Sequence, residues 1–112
     1  MPLNFEAERE RTELYQVTRD GQISNIYNLI VRNLDQRDHT YQLSASGLAG
    51  LTLDQHSISV PAGESRSTVV TVTADGDAIQ QPSHDIVLTI ESELDDSIRL
   101  ERDTRFIGEL RR

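Results

Sequence analysis

An alternation of apolar and polar residues within residues 21–48 constrains the fold more than any other feature of this sequence. In GQISNIYNLIVRN the side chains of Tyr27, Leu29 and Val31 recur at every second position, which places them on one face of an extended strand. The stretch HTYQLSA repeats the pattern after a polar segment, NLDQRDH, whose Asn and Asp side chains favour turn geometry. The two stretches therefore predict a β-hairpin of two long strands.

Five further segments carry strand signals, and the first of them is a short strand at Leu14, Tyr15 and Val17. RSTVVTVTA is almost entirely β-branched and puts Val70 and Val72 on one face, and residues 84–92 alternate in the same way. HSISV ends at Pro61, where the sequence Pro-Ala-Gly predicts a second hairpin. The last segment, residues 98–107, contains an Arg-rich interval that predicts a bulge.

These segments give about seven strands, and no segment of helical period is long enough to connect parallel strands. The sequence therefore predicts an all-β fold, an immunoglobulin-like antiparallel β-sandwich. Other seven-stranded sandwiches stay open, because the paired cysteines and buried Trp that pin many immunoglobulin domains are absent. SGLAGLTL, with Gly47 and Gly50, predicts the bend at which the chain changes sheets.

The length of 112 residues fits one domain. Residues 1–12, with the charged run EAERER, predict a flexible lead-in or linker, and residues 13–112 predict the sandwich. The chain has no cysteine, which excludes disulfides, thiolate-bound metals and iron–sulfur clusters on its own residues.

The net charge is −8, and all eleven basic residues are Arg. This balance argues against nucleic acid, whose phosphates require a basic surface, and against direct binding to anionic lipid. No apolar run approaches the roughly 20 residues of a membrane-spanning helix, and the first residues lack the apolar stretch of a signal peptide.

Three histidines are the only imidazoles in the chain. His39, His56 and His84 have no informative spacing, and each is predicted at the end of an element, where an exposed His is ordinary. We therefore expect no metal site and no copper affinity in this domain.

The acidic run ESELDDS lacks the ligand and glycine spacing of a calcium loop and predicts a solvated turn. No serine lies in a nucleophile motif, so the sequence predicts no catalytic residue and no enzyme activity for this domain. Tyr27 and Tyr41 predict core positions rather than a ligand-stacking pair. Asn25 and Asn33 predict side-chain to backbone hydrogen bonds at the ends of their strand.

The period of the strands predicts which residues face the core. Truncating any one of them should leave a destabilising cavity. The predicted inward-facing residues are Tyr27, Leu29, Val31, Tyr41, Leu43, Val70, Val72, Ile86, Leu88 and Ile90.

The same period places Ile26 and Ile30 on the outer face of their strand, where a solvated sheet usually carries polar residues. In an immunoglobulin-like sheet their neighbours are Val69 and Thr71, so these four residues are a candidate docking patch for a protein partner. Two alternatives are that the lead-in around Phe5 covers them, or that scattered surface apolar residues need no partner.

Several segments in order carry a family resemblance. The segments GQISNIYNLIVRNLDQRDHTYQLSASGLAGL, VPAGESRSTVVTVTAD and RFIG together resemble the C-terminal immunoglobulin-like domain of the FixG/CcoG family of cytochrome c oxidase accessory proteins, from about residue 14 to residue 108. The residues that carry the resemblance are Asn25, Tyr27, Leu29, Asn33, Tyr41, Leu43, Gly47, Ala62, Gly63, Glu64, Phe106 and Gly108.

The resemblance implies a larger parent: a bacterial inner-membrane protein with [4Fe-4S] clusters, connected with assembly of cbb-type cytochrome oxidases and with copper homeostasis. This chain would be its periplasmic C-terminal domain, a non-enzymatic interaction or spacer domain whose partners are the parent's own membrane portion or oxidase-assembly factors. No catalytic residue carries over. The alternative is a free-standing extracytoplasmic sandwich that binds a partner protein or carbohydrate, as an adhesin or chaperone does.

Overall fold

Two antiparallel sheets form a β-sandwich. The computed structural model describes residues 1–11 and 15–108. Sheet A has the strand order β1-β3-β7-β5, with β2 also paired to β3, and sheet B has the order β6-β4-β8-β9. The strands are β1 (Leu3–Arg9), β2 (Gln16–Val17), β3 (Ile23–Asn33), β4 (His39–Ser46), β5 (Thr52–Leu53), β6 (Ser57–Val60), β7 (Ser65–Ala74), β8 (Ser83–Ser92) and β9 (Arg99–Ile107).

The all-β fold and the two-sheet architecture are confirmed. Seven of these strands have four or more residues, and β2 and β5 have two each. One short 3-10 helix, Gly76–Ala78, precedes β8. Within the described residues, no helix is long and apolar enough to cross a membrane.

The predicted hairpin between β3 and β4 is wrong. β3 pairs with β1 and β7, whereas β4 pairs with β6 and β8 in the other sheet. Alternation fixes which face of a strand is apolar, but that face can be buried equally well against the opposite sheet as beside a paired neighbour. The connection between the strands therefore crosses the sandwich.

The second predicted hairpin, at Pro61, is wrong for the same reason, because β6 belongs to sheet B and β7 to sheet A. The predicted sheet change after β4 is confirmed, since β5 pairs with β7. Gly47 lies at that bend with φ of 118°, and a Cβ there would lie 2.9 Å from the carbonyl oxygen of Asp85. Only glycine fits this combination of backbone and contact.

β8 and β9 do form a hairpin. Their register runs without interruption from Glu91 opposite Arg99 to Ser83 opposite Ile107, so the predicted bulge is wrong. Arg99 and Arg105 lie with Glu101 and Asp103 on the outer face of a regular strand, and Arg102 lies on the opposite face, so no extra residue has to be accommodated by a bulge.

The ten residues predicted to face inward are all buried, with exposed fractions of 0 to 7%. The core also includes Leu3 and Phe5, because residues 3–9 form β1 rather than a flexible lead-in. Leu3 and Phe5 are two residues apart and so share the inward face of β1, with Phe5 opposite Val31. The first strand expected near Tyr15 is the two-residue β2, and Leu14 lies outside the described residues.

Arg102 connects the outermost strands of the two sheets. Its Nε donates a 2.9 Å hydrogen bond to the carbonyl oxygen of Phe5, and its guanidinium lies 5.6 Å from the centre of the Phe5 ring. This side chain closes the gap between β9 and β1 on one side of the sandwich.

Candidate functional site

The predicted docking patch lies on the outer face of sheet A. Ile26 is opposite Thr71, and Val69, which follows Thr68 and precedes the buried Val70 in β7, is 52% exposed. Ile26 and Ile30 are partly exposed. The structure thus brings the four residues of the patch onto one face; their role in docking stays a prediction.

Phe5 does not cover this patch. Its ring is 1% exposed inside the core, and β1 lies beside β3 in the sheet rather than across its outer face. One of the two alternatives to docking, coverage by the lead-in, is therefore wrong.

The outer faces of the two sheets differ in charge. The outward residues of β3 and β7 include one ionisable side chain, Arg32, which pairs with Glu6 at 3.0 Å. The outward residues of β8 and β9 include six: Asp85, Glu91, Arg99, Glu101, Asp103 and Arg105. The four patch residues thus carry no charge, but the outward Glu6 and Glu8 of β1 border them beside Ile30 and Asn28.

A buried Ser–His–Asp hydrogen-bond network, Ser92–His39–Asp35, connects two turns; we call it the Ser92 site. His39 Nδ1 lies 2.6 Å from Ser92 Oγ, and His39 Nε2 lies 2.7 Å from Asp35 Oδ2. His39 is 2% exposed, so the expectation of an exposed histidine is wrong at this position. The ring is held at the start of β4 because it also stacks on Tyr41, with 5.4 Å between ring centres.

The direction of each hydrogen bond in the Ser92 site follows from which groups can donate. The Leu94 amide donates to Ser92 Oγ at 3.1 Å, and an ionised Asp35 can only accept, so Nε2 of His39 carries a proton. In the neutral ring, Nδ1 then accepts the hydroxyl proton of Ser92.

The hydrogen bonds of the Ser92 site stabilise the fold and do not prepare Ser92 for nucleophilic attack. A serine nucleophile needs an open approach for the carbonyl carbon and nearby donors for the oxyanion, whereas Ser92 is 3% exposed and its oxygen already accepts from Leu94. The Ser92 site joins the β3–β4 connection to the β8–β9 turn. The sequence offered one signal for it: Ser92 continues the inward phase of Ile86, Leu88 and Ile90.

The surroundings of the Ser92 site shift the pKa values of Asp35 and Tyr41 in opposite directions. The hydrogen bond from His39, followed by that from the Gln36 amide, lowers the pKa of Asp35 below its usual value. Burial raises the pKa of Tyr41 to about 12, and Asp35 adds to the increase. Among the described residues, the Tyr41 hydroxyl has no hydrogen-bond partner.

We expect Asp35→Asn to lower stability at neutral pH and to flatten the loss of stability in acid. Because the pKa of Asp35 is lowered on folding, its ionised form stabilises the fold above the ordinary carboxyl value of about 3.9. That contribution is lost as the pH falls through the lower folded-state pKa. Urea unfolding between about pH 7 and about pH 2 measures it.

Asp96→Asn is the matched control, because Asp96 is exposed and has no hydrogen bond or ion pair within the described residues. It should leave the acid limb of the curve unchanged. Identical curves for Asp35→Asn and the parent chain would contradict the assigned role of Asp35.

Two buried asparagines hold the ends of β3, as predicted. Asn25 exchanges two hydrogen bonds with the backbone of Ile107, at 2.8 and 2.9 Å. Asn33 donates from Nδ2 to the carbonyls of Arg37 and Val60 and accepts from the amide of Asp35. Each joins β3 to an element that is distant in the sequence or on the other sheet.

The two tyrosines are core residues, as predicted. Both are 0% exposed. The Tyr27 hydroxyl donates to the carbonyl oxygen of Arg105 at 2.6 Å, and burial raises its pKa well above the usual value.

The remaining candidates lie apart from one another. His56 is exposed, and His84 Nε2 accepts from the amides of Gln80 and Gln81. In the acidic turn, Asp95 accepts from both the amide and hydroxyl of Ser97, and these bonds lower its pKa. Across residues 1–11 and 15–108, no three metal-ligating side chains come together.

A surface pocket of about 300 Å³ lies where β4 begins, beside the end of β6. Its apolar lining comes from Val60, Pro61 and Leu94, and Leu94 is 60% exposed. Asp38, Glu93 and Arg66 supply its charged lining. We call it the β6 pocket. The alternation of residues along the strands does not predict this pocket, because its lining comes from three connections and from the ends of the strands beside them.

These features define the chain as an immunoglobulin-like β-sandwich domain whose well-ordered polar groups serve structure. The chain belongs to the family described as "IG-like fold at C-terminal of FixG, putative oxidoreductase", which matches residues 1–109. The predicted family resemblance is thereby confirmed.

A solved structure agrees with this assignment. A crystal structure of a FixG-related protein from Vibrio parahaemolyticus is similar over 98% of this chain and 99% of its own chain, with a TM-score of 0.86 and 25% sequence identity. No curated protein matches the chain.

Proposed function

We propose that this chain is a non-catalytic interaction and spacer domain, the periplasmic C-terminal part of a FixG/CcoG-like membrane iron–sulfur protein. The parent takes part in the assembly of cbb-type cytochrome oxidases and in copper homeostasis. The family match over residues 1–109 carries this proposal. It is supported by the Ser92 site, in which the one Ser–His–Asp chain of the described residues is closed to substrate.

The redox chemistry belongs to the parent. The chain has no cysteine, so it supplies none of the thiolates that ligate [4Fe-4S] clusters, and the clusters are held outside these 112 residues. The domain's own contribution is contact with proteins. Its net charge of −8 disfavours nucleic acid and anionic lipid as partners.

The experiment that tests this function begins with the complete gene. We expect membrane spans and ferredoxin-type cysteine clusters to be encoded upstream of Met1. Deleting the domain from the full-length protein should lower cbb-type oxidase activity in membranes. In the undeleted protein, a reporter that is active only in the periplasm should be active when fused after the domain. A cleavable signal peptide encoded directly before Met1 would instead identify a free-standing sandwich.

The patch formed by Ile26, Ile30, Val69 and Thr71 is the proposed contact with the parent's membrane portion or an oxidase-assembly factor. Its support is the partial exposure of the apolar side chains Ile26, Ile30 and Val69 on one face of sheet A, bordered by the outward Glu6 and Glu8 of β1. Exposed apolar side chains with a polar border are typical of protein contact surfaces.

Changing Ile26 and Ile30 together to Thr should leave the fold intact and weaken capture of the partner from membranes. Thr keeps the β-branch and strand propensity but adds a hydroxyl that must be desolvated in the complex. Circular dichroism checks the fold, and a pull-down with purified domain measures capture.

Val87→Thr is the matched control, because Val87 is an outward, partly exposed residue of sheet B. It should not change capture. If the double variant unfolds, the two isoleucines are core residues and the docking role is lost.

A further inference from the structure

The chain enters the sandwich at an end that also carries three connections. β1 begins at Leu3, opposite Asn33 at the end of β3, and the Leu34 amide donates a 2.9 Å hydrogen bond to the carbonyl oxygen of Pro2. The β3–β4 connection, the β6–β7 turn and the β8–β9 turn lie at this same end, because β3, β6 and β8 end where β1, β4, β7 and β9 begin. Met1 therefore lies beside these connections.

This end carries most of the large apolar side chains that are exposed. Within the described residues, five large apolar side chains are more than half exposed, and three of them, Met1 (65%), Leu34 (60%) and Leu94 (60%), lie at this end. Val17 lies at the opposite end beside the start of β3, and Val69 lies on the outer face of sheet A. Exposed apolar side chains gathered in one place indicate a contact surface. We call Met1, Leu34, Leu94 and the β6 pocket the entry surface.

The β6 pocket is within reach of a segment that precedes Met1. Leu94 and Pro61 line the pocket together with Arg66, which lies at the start of β7. β1, β3 and β7 are adjacent in sheet A, so the starts of β1 and β7 are roughly 10 Å apart, two strand spacings. About three or four extended residues span this distance. Such a segment can therefore pass Leu34 and reach the pocket.

Hydrogen bonds hold the connections of this end in fixed positions. The Ala62 amide donates to Asp38 at 2.9 Å, and the Asn33 amide donates to the carbonyl oxygen of Glu64 at 2.9 Å. Both bonds join the β3–β4 connection or the strand before it to the β6–β7 turn. The Ser92 site joins the same connection to the β8–β9 turn. A surface fixed in this way loses little conformational entropy when another segment packs on it.

The charge of this end disfavours an anionic lipid surface as its occupant. The three connections carry one basic residue, Arg37, and six acidic residues, which repel anionic head groups. The acidic residues are Asp35, Asp38, Glu64, Glu93, Asp95 and Asp96. A polypeptide segment with apolar side chains meets no such repulsion. One that is covalently joined to Met1 is also present at high effective concentration, so that even a weak contact forms.

We propose that the segment of the parent protein directly before Met1 covers the entry surface, with its apolar side chains packed on Leu34 and Leu94. The family is described as lying at the C-terminal of FixG and its match includes residue 1, and to this extent the contact rests on the proposed function. The contact holds the domain in one orientation relative to the rest of the parent, in place of a flexible tether. It is separate from the patch on sheet A.

Hydrogen exchange in three purified proteins tests this contact. They are the 112-residue chain, the same chain extended by about ten residues of the parent before Met1, more than the span requires, and the complete parent protein. In the two longer proteins, the amides of residues 34–38 and 93–98 should exchange at least about fivefold more slowly than in the 112-residue chain. Because no assembly factor is present, this protection comes from the parent itself.

Leu34→Ser combined with Leu94→Ser should remove the protection from the extended chain, because the apolar contact is replaced by hydroxyls that must be desolvated. Both leucines are 60% exposed, so the double variant should keep the circular dichroism spectrum of the folded domain. Val17→Ser is the matched control, since Val17 is 54% exposed at the opposite end of the sandwich. It should leave the protection unchanged.

Equal exchange at residues 34–38 and 93–98 in all three proteins would overturn the proposal, as would protection in the complete protein that the extended chain lacks. Protection that increases with protein concentration would also overturn it, since the surface would then bind a second copy of the chain. The proposed function fails by a different result, a cleavable signal peptide encoded directly before Met1. If membrane spans are encoded upstream and no protection is found, only the contact at the entry surface is lost.

Discussion

Leu88→Ala should lower the free energy of unfolding by about 2 to 5 kcal/mol, the range for leucine truncation in a packed core. Leu88 is 4% exposed near the middle of β8, with β4 on one side and β9 on the other. Because both neighbouring strands are held in register, the core cannot close over the lost side chain and a cavity remains. Urea unfolding measures the effect through the midpoint at an unchanged slope.

Leu94→Ala makes the same chemical change at a site that is 60% exposed. It should stay within about 0.5 kcal/mol of the parent chain, as surface changes usually do. A loss near zero for Leu88→Ala as well would mean that β8 has the opposite face toward the core.

Asn33→Ala should cost roughly 2 to 4 kcal/mol, because each buried polar group that loses its partner costs about 1 to 3 kcal/mol. Asn33 is 0% exposed, and its removal leaves the carbonyls of Arg37 and Val60 and the amide of Asp35 without this partner. The three groups hold the crossing from sheet A to sheet B, so we also expect faster hydrogen exchange at the start of β4.

Asn28→Ala is the control on the same strand. Asn28 is exposed, and its one side-chain hydrogen bond within the described residues, to Glu10, is 3.5 Å long. Asn33→Asp separates the roles within the site, since it keeps an acceptor for the Asp35 amide but loses both donors. If Asn33→Ala and Asn28→Ala were equally mild, the crossing would be held by its other contacts.

The faces of the strands could be predicted from the sequence, and their partners could not. Tyr27 and Tyr41 are buried as their two-residue period requires, but the same period is satisfied by pairing in one sheet and by facing across two. The five residues between β3 and β4 allow either path. Asn33 favours the crossing to the other sheet, because its side chain donates a hydrogen bond to the carbonyl of Val60, 27 positions away. No local sequence pattern contains this relation.

The first strand, β1, could not be predicted because its charged residues resemble those of a flexible linker. β1 has only Leu3 and Phe5 as large apolar side chains among Asn, Glu and Arg, and a charged outer face is what an edge strand of a soluble sandwich carries. Its stability comes from β3 and from Arg102, which is 97 positions away from Phe5. The Ser92 site was hidden in the same way, since His39 and Ser92 are 53 positions apart.

The patch on the outer face of β3 and β7 also determines how its complexes should respond to solution conditions. Its four residues, Ile26, Ile30, Val69 and Thr71, carry no charge, and the nearest carboxylates are Glu6 and Glu8 at its border. The affinity of an interface centred on Ile26 and Val69 should therefore depend on ionic strength only through this border. A contact on the outer face of β8 and β9, with its six ionisable side chains, should be much more sensitive to salt.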